Sequence, residues 1–217
     1  MSLLAKAISN NSLRLGIFAT LTVGLIALTF VFTQDRIAAQ IRASEQRALA
    51  DILPQRYYDN DLLHTYVTQP AEPLISQHQP FKVYVAFKGQ QPAAVVIPVA
   101  APDGYNGRID LLVGIDRSGQ LTGTRVIAHK ETPGLGDAID IKVSSWIDNF
   151  AGKSLLNPTE DGWAVKKDSG EFDQFTGATI TPRAVVAAVK RSLDYFNEHQ
   201  TTLFQEGAKK LEEANHG

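Results

Sequence analysis

Asp173-Gln-Phe-Thr-Gly-Ala-Thr179, leading into Thr181-Pro182, is the stretch around which this chain is organised. A small, hydroxyl-bearing, glycine-containing turn runs into a helix: Thr181 suits an N-cap, and Pro182 suits the first helical position. Behind them Val185, Val186, Val189, Leu193 and Phe196 recur at helical spacing, which gives the helix a face to bury. Unpaired amide N–H groups and the positive end of the helix dipole converge at such a start, a geometry that can receive a phosphate. Two more hydroxyls, Thr176 and Thr179, stand just upstream. The same residues also read as an ordinary helix entry, because Ser, Thr and Gly are common before helices.

Upstream, a second unusual stretch, His129-Lys-Glu-Thr-Pro-Gly-Leu-Gly-Asp137, follows a hairpin. The hairpin consists of Ile109–Ile115, the turn Asp116-Arg-Ser-Gly119 and Thr124–Ala128. His129 and Glu131 read either as a surface pair at a strand end or as an acid/base pair, although no nucleophile accompanies them. Gly134 and Gly136 could let the backbone approach a flat ring, since glycine has no Cβ in the way. Together with the hydroxyl turn, the loop suggests a phosphorylated aromatic cofactor.

Further upstream, Phe81–Phe87 alternates with period two as a strand. Ala93–Val99 forms a second, in which Pro98 suggests an edge or a bulge. Ala101-Pro-Asp-Gly-Tyr-Asn-Gly107 is a glycine-rich turn carrying a tyrosine. Ser144–Phe150 reads as a short helix and Asp161–Val165 as a strand. Ile37–Leu53 reads as a helical stalk, with Ile37, Ile41, Ala48, Leu49 and Ile52 on one side, that breaks at Pro54.

Leu15–Thr33 is uncharged and mostly apolar. Nineteen residues at about 1.5 Å each reach ~28 Å, one bilayer hydrocarbon core. Thr20, Thr22 and Thr29 can bond the helix's own carbonyls. A cleaved signal peptide is the competing reading, but the run is long for one and lacks a well-placed small-residue site. Lys6 and Arg14 before the span nearly balance Arg36, Arg42 and Arg47 after it, so charge does not set its orientation.

The formal net charge of −2 and the lack of a basic cluster interleaved with aromatics argue against a nucleic-acid surface. With no cysteine, disulfides, thiolate metal sites and iron–sulfur clusters are excluded; the five histidines show no pair at metal-ligand spacing. Any redox chemistry would come from an organic cofactor. No nucleophile elbow, zinc-protease helix or Walker loop is present.

The combination of Glu131-Thr-Pro-Gly-Leu-Gly136 with Asp173-Gln-Phe-Thr-Gly-Ala-Thr179 resembles the FMN-binding subunit of two ion-pumping respiratory complexes. These are the G subunit of the Rnf electron-transport complex and the C subunit of the sodium-pumping NADH:quinone reductase. The resemblance extends through the span, the stalk and Gly104-Tyr-Asn-Gly107, and the chain's length favours the Rnf protein. It implies FMN joined to Thr179 through a phosphoester, installed by a flavin transferase that recognises Asp173, Thr176, Gly177, Ala178 and Thr179. Thr176 stands where serine is commoner and keeps the hydroxyl. Glu131, Thr132, Leu135 and Gly136 match the loop that lines the flavin, beside Thr176, Gly177, Ala178 and Thr181.

The resemblance further implies an electron carrier without turnover of its own. It would sit in the bacterial inner membrane beside the other membrane subunits of an Rnf-type complex, with the bulk of the chain periplasmic. The expected architecture is an α+β domain behind a single transmembrane helix: N-terminus 1–14, span 15–33, stalk and linker 34–73, FMN-binding domain 74–206 and charged tail 207–217. A flavin-containing regulatory module and a non-redox anchored binding or assembly factor remain the rival classes.

Overall fold

The structure, a computed structural model, describes residues 3–216; within its helices, the side chains of residues 3–7, 9, 10, 35, 37–46 and 214–216 fall outside that description. The chain divides into two compact units, Met1–Glu45 and Gln46–Gly217. Helix α1 (Leu3–Ile52) contains the segment Asn11–Gln34, which is long and apolar enough to cross a bilayer, with a mean hydropathy of 2.3. The leucines, isoleucines and phenylalanines of that segment are exposed, as lipid-facing side chains are. The hydroxyls of Thr20, Thr22, Thr29 and Thr33 donate to carbonyls four residues back at 2.8 Å, so each of these hydroxyls is satisfied within the helix.

The second unit is α+β. Strands β1 (Tyr66–Gln69), β2 (Phe81–Lys88), β3 (Gln91–Gly104), β4 (Gly107–Asp116) and β5 (Leu121–Ala128) form an antiparallel meander in sequence order. Both faces of the sheet are covered, and the period-two alternation sorts side chains between them. Val83, Val85, Val95, Ile97, Val99, Leu111, Val113 and Ile115 face the main core, which helix α2 (Ile180–His216) closes with Val185, Val189, Leu193 and Phe196. Burying each such side chain is worth about 1.5–3 kcal/mol. On the other face, Leu49, Ile52 and Leu53 cover Ala86, Ala94 and Val96. The last turn of the segment read as a stalk thus packs on the sheet, whereas Ile37 and Ile41 fall outside the described side chains. The helix ends at Ile52, just before Pro54.

Several boundaries differ from expectation. Tyr66–Gln69 is not linker but the first strand of the sheet, paired with β2 from Tyr66↔Tyr84 to Gln69↔Phe81. The charged tail from residue 207 is part of the last helix and of the core. Helix α2 continues to His216, Ala208 and Leu211 pack on the core, and a Cβ at Gly207 would lie 2.8 Å from Val85. Pro98 lies in the middle strand, yet on an edge of its own. Its ladder partner is Leu112 of β4, β2 pairing stops at Val96, and its carbonyl accepts from Gln77 Nε2 at 3.2 Å.

The expected strand Asp161–Val165 is instead a 3-10 turn, Glu160–Gly162, followed by one parallel bridge, Val165↔Phe172. Trp163 and Val165 are buried there in an aromatic cluster rather than alternating across a sheet. Phe150 and Phe172 stack at 4.7 Å, and Trp163 lies 5.3 Å from Phe172. Ser145–Phe150 is helical as expected, in 3-10 form, with Ser144 Oγ accepting the Trp146 N–H.

Two glycines paired across β4 and β5, Gly114↔Gly123, form the notch that seats the end of α1. A Cβ at Gly123 would sit 2.9 Å from the Ile52 carbonyl oxygen, and one at Gly114 would sit 2.5 Å from Ile52 Cγ2. Gly123→Ala is expected to destabilise the chain by about 1–3 kcal/mol, because backbone must move to admit the methyl group; a thermal melt in detergent checks it.

Burial pushes the Tyr195 hydroxyl up to about 12, with Glu72 and Glu206 adding to the effect. The neutral phenol is the form the fold favours, so its contribution is complete below the ordinary tyrosine range and disappears as the pH rises through about 12. Ultraviolet titration of Tyr195→Phe against the parent should remove one phenolate transition near that pH.

Candidate functional site

The motif Asp173–Thr179 has no sheet or long helix of its own; Trp146 holds it. The indole Nε1 donates to the Asp173 carbonyl at 2.8 Å, and its ring meets Phe175 edge-on at 5.1 Å. From that anchor the chain turns tightly, with the Ala178 N–H donating to the Phe175 carbonyl at 3.2 Å. Gly177, at the third turn position, has φ +82°, the left-handed conformation that a type II turn requires there. Ion pairs secure the outside of the segment: Lys166 with Asp173 at 2.6 Å, and a two-pronged Arg183–Asp168 contact at 2.5 and 2.6 Å. The Arg183 guanidinium keeps the Asp168 carboxyl below the usual carboxylate range. This surface clasp is therefore intact at neutral pH and lost as the pH falls through that lowered value.

Helix α2 begins at Ile180, and the Thr179 carbonyl accepts from the Arg183 N–H at 3.4 Å. Thr179 rather than Thr181 is therefore the N-cap residue, two positions earlier than the sequence suggested. Pro182 falls at the third helical position instead of the first. An N-cap hydroxyl ordinarily accepts from the second or third helical N–H, and proline removes the latter. The Thr179 hydroxyl, partly exposed, has no hydrogen-bond partner among the described residues. Thr181 turns inward instead: it is fully buried, and its hydroxyl donates to Glu131 Oε2.

Glu131 is not half of a surface pair. It is 5% exposed, its backbone N–H donates to His129 Nδ1 at 3.1 Å, and its Oε1 accepts the Asn106 N–H at 3.0 Å. The two loop glycines serve different ends. Gly134, with φ +78°, completes a Pro133-Gly134 turn closed by the Leu135 N–H donating to the Thr132 carbonyl at 3.1 Å. Gly136 makes room for the buried pair, because a Cβ there would lie 2.7 Å from Glu131 Oε2 and 2.8 Å from Thr181 Oγ1.

Together these pieces line a cleft of about 350 Å³ formed by Tyr105, Glu131, Thr132, Leu135, Gly136, Gly177, Ala178, Thr179, Ile180 and Thr181. Glu131, Thr132, Leu135, Gly136, Gly177, Ala178, Thr179 and Thr181 thus come together in one cleft, with Glu131 largely buried. Thr176 sits on the adjoining turn and Asp173 at its far end, neither of them lining the cleft. Tyr105 and Ile180 were not foreseen as lining residues. They are 66% and 47% exposed, and with Leu135 at 43% they give the cleft apolar walls. Exposed large apolar side chains gathered on one cleft mark a binding surface. Tyr105 could have been suspected from its place on a glycine-flanked tip, and Ile180 from being the one large apolar residue between two threonines.

Thr181→Val keeps the shape and removes the donor, leaving one buried Glu131 oxygen without a partner. It is expected to cost about 1–3 kcal/mol of stability, read by denaturant unfolding, whereas Thr176→Val should be nearly neutral.

The cleft lies within residues 104–194, which match the model of the FMN-binding domain family, and residues 1–52 match the RnfG N-terminal region. The chain is 50% identical to the G subunit of the ion-translocating oxidoreductase complex of Pseudomonas aeruginosa, over 91% of its length and 92% of that protein. The proteins of the same name from Shewanella loihica and Vibrio cholerae are 47% and 45% identical, over 94% and 91% of this chain and 96% and 94% of theirs. Among solved structures, Shewanella oneidensis NqrC is similar with 22% identity and a TM-score of 0.45, over 69% of this chain and 74% of that one. With an FMN-binding domain behind an N-terminal apolar helix, and relatives that match nearly its whole length, the chain belongs to the family of G subunits of ion-translocating oxidoreductase complexes.

Proposed function

We propose that this chain is a membrane-anchored flavoprotein that relays electrons through FMN esterified to Thr179 within an Rnf-type ion-translocating complex. The observation that carries the attachment site is the Thr179 hydroxyl. Thr179 stands at the N-cap position of α2 and lines the cleft, and its hydroxyl is not consumed by any other group among the described residues. The residues present fit the cofactor's two ends. Tyr105, Leu135 and Ile180 offer apolar surface to a flat aromatic ring, and the first N–H groups of α2 offer donors to a phosphate.

A phosphodiester keeps one negative charge, which the α2 N-terminus favours by about 0.3–1 kcal/mol. So small a gain would not hold a dilute cofactor outside the cytoplasm, and an ester bond removes the dissociation problem. FMN supplies reversible electron transfer when bound; the protein supplies position, an apolar wall and the electrostatics of the helix start. Acid/base catalysis on a substrate needs no resident group here, in keeping with His129 Nδ1 accepting the Glu131 N–H and the Glu131 carboxylate accepting from Asn106 and Thr181.

The rest of the proposal concerns surroundings. A flavin transferase would install the ester, reading the exposed segment from Asp173 to Thr179, whose turn is already formed before modification. The Asn11–Gln34 segment would anchor the chain in the bacterial inner membrane, with the larger unit periplasmic. Its partners there would be the other membrane subunits of the complex, which couples electron transfer between ferredoxin and NAD to ion movement. Alone, the chain would carry electrons without turning over.

Co-expression with a flavin transferase, followed by denaturing gel electrophoresis under ultraviolet light, tests the attachment. A fluorescent parent band and a dark Thr179→Ala band are expected, with at least a tenfold loss of signal and an unchanged melting temperature. A mutant band that still fluoresces, or a dark parent band with active transferase, would refute Thr179 as the carrier.

A further inference from the structure

Three segments distant in sequence wall the cleft: the β3–β4 tip, the 131–136 loop and the first turn of α2. Among the described residues no backbone–backbone hydrogen bond joins any two of them. What joins them is side chains, and only the Glu131 carboxylate reaches both of the other walls. Glu131 Oε1 accepts the N–H of Asn106 at the tip, Oε2 accepts the hydroxyl of Thr181 in α2, and the Asn106 amide donates to Thr132 Oγ1 at 2.9 Å.

The seat for this carboxylate is built. A Cβ at Gly104 would lie 2.9 Å from Oε1 and one at Gly136 would lie 2.7 Å from Oε2, so a side chain on either glycine would evict it. Both oxygens accept hydrogen bonds from protein donors, the pattern of an ionised carboxylate. No Lys or Arg nitrogen among the described residues lies within ion-pair distance of it. Among the described residues its charge is met by the Asn106 N–H, the Thr181 hydroxyl and the start of α2.

We propose that Glu131 is a positioning residue rather than a flavin ligand: its carboxylate holds the three walls in register before any cofactor arrives, and its charge beneath the cleft makes a bound flavin harder to reduce. Both oxygens are already committed to donors within the protein. A negative charge in a poorly solvated floor acts over several ångströms, and it opposes adding electrons nearby. The electrostatic half rests on the FMN reading above; the structural half does not.

Two substitutions separate the halves. Glu131→Gln keeps an acceptor for the Asn106 N–H and can donate to Thr181 Oγ1, so it preserves the clamp and removes the charge. Glu131→Ala removes both. The full-length chain in detergent, made without flavin transferase, is followed by amide hydrogen exchange. Asn106 in Glu131→Ala should exchange at least tenfold faster than in the parent, with Glu131→Gln close to the parent.

The flavin-loaded parent and Glu131→Gln are then compared by dye-equilibrated redox titration in the same detergent, and the Gln variant should have the more positive midpoint potential. Unchanged Asn106 exchange in Glu131→Ala overturns the clamp, and an unchanged or more negative potential in Glu131→Gln overturns the charge role. Should Glu131→Ala fail to fold, parent-like exchange in Glu131→Gln still supports the clamp, while fast exchange there refutes it. A parent band dark on the denaturing gel refutes the Thr179 ester and not the clamp, which the exchange of the flavin-free chain decides.

Discussion

The hold of Trp146 on the 173–175 backbone is the contact on which the cleft depends. A seven-residue segment with no ladder of its own loses too much entropy to stay ordered unless neighbouring groups fix it. The indole does this twice over, through its N–H to the Asp173 carbonyl and its ring against Phe175. Trp146 is itself fixed by Phe150, whose ring meets it edge-on at 5.4 Å, and Phe150 stacks on Phe172. The aromatic cluster thus carries order from the sheet's core to a turn whose two central residues are exposed. On the proposed reading, exposure lets a modifying enzyme reach the hydroxyl and rigidity keeps the cofactor aimed.

The electrostatics of the helix start explain why the site has its particular composition. The positive end of α2 attracts anions, yet a buried carboxylate already stands beside it. A phosphate arriving at the same terminus meets a competitor of its own sign. Non-covalent retention is weakened twice, by the modest size of the dipole effect and by that neighbour. A hydroxyl left unspent at the cap, with proline removing one of the amides that would have occupied it, suits the ester proposed above.

Much of the fold was legible because it depends on local periodicity. The span of α1, the alternation of β2 and β4, the turn at Asp116–Gly119 and the buried stripe of α2 all follow from side-chain spacing along the chain. What was misread depended on distant partners. Tyr66–Gln69 is too short for alternation to announce it, and it becomes a strand only because β2 lies alongside. Asp161–Val165 has the apolar residues of a strand, but its tryptophan and valine find an aromatic cluster instead of a sheet. Residues 207–213 look like a solvated end until Gly207 is seen against Val85.

The sequence by itself determined that this is one apolar helix followed by an α+β unit, and it singled out two stretches, Glu131–Gly136 and Asp173–Thr179, residues of which line one cleft. Those features reside in residue type and spacing, which folding cannot alter. Only the tertiary structure decided how the motif residues divide their labour. Thr179 and Thr181 look alike in the sequence, two threonines flanking one isoleucine. One became the free cap in the cleft and the other a buried donor, because helical rotation turned Thr181 toward a carboxylate fifty residues away in sequence. Glu131 likewise could not be told from a surface acid until Gly104 and Gly136 were brought against it. Burying a charge is tolerable only where donors converge on it, and convergence of distant segments is a property of the fold alone.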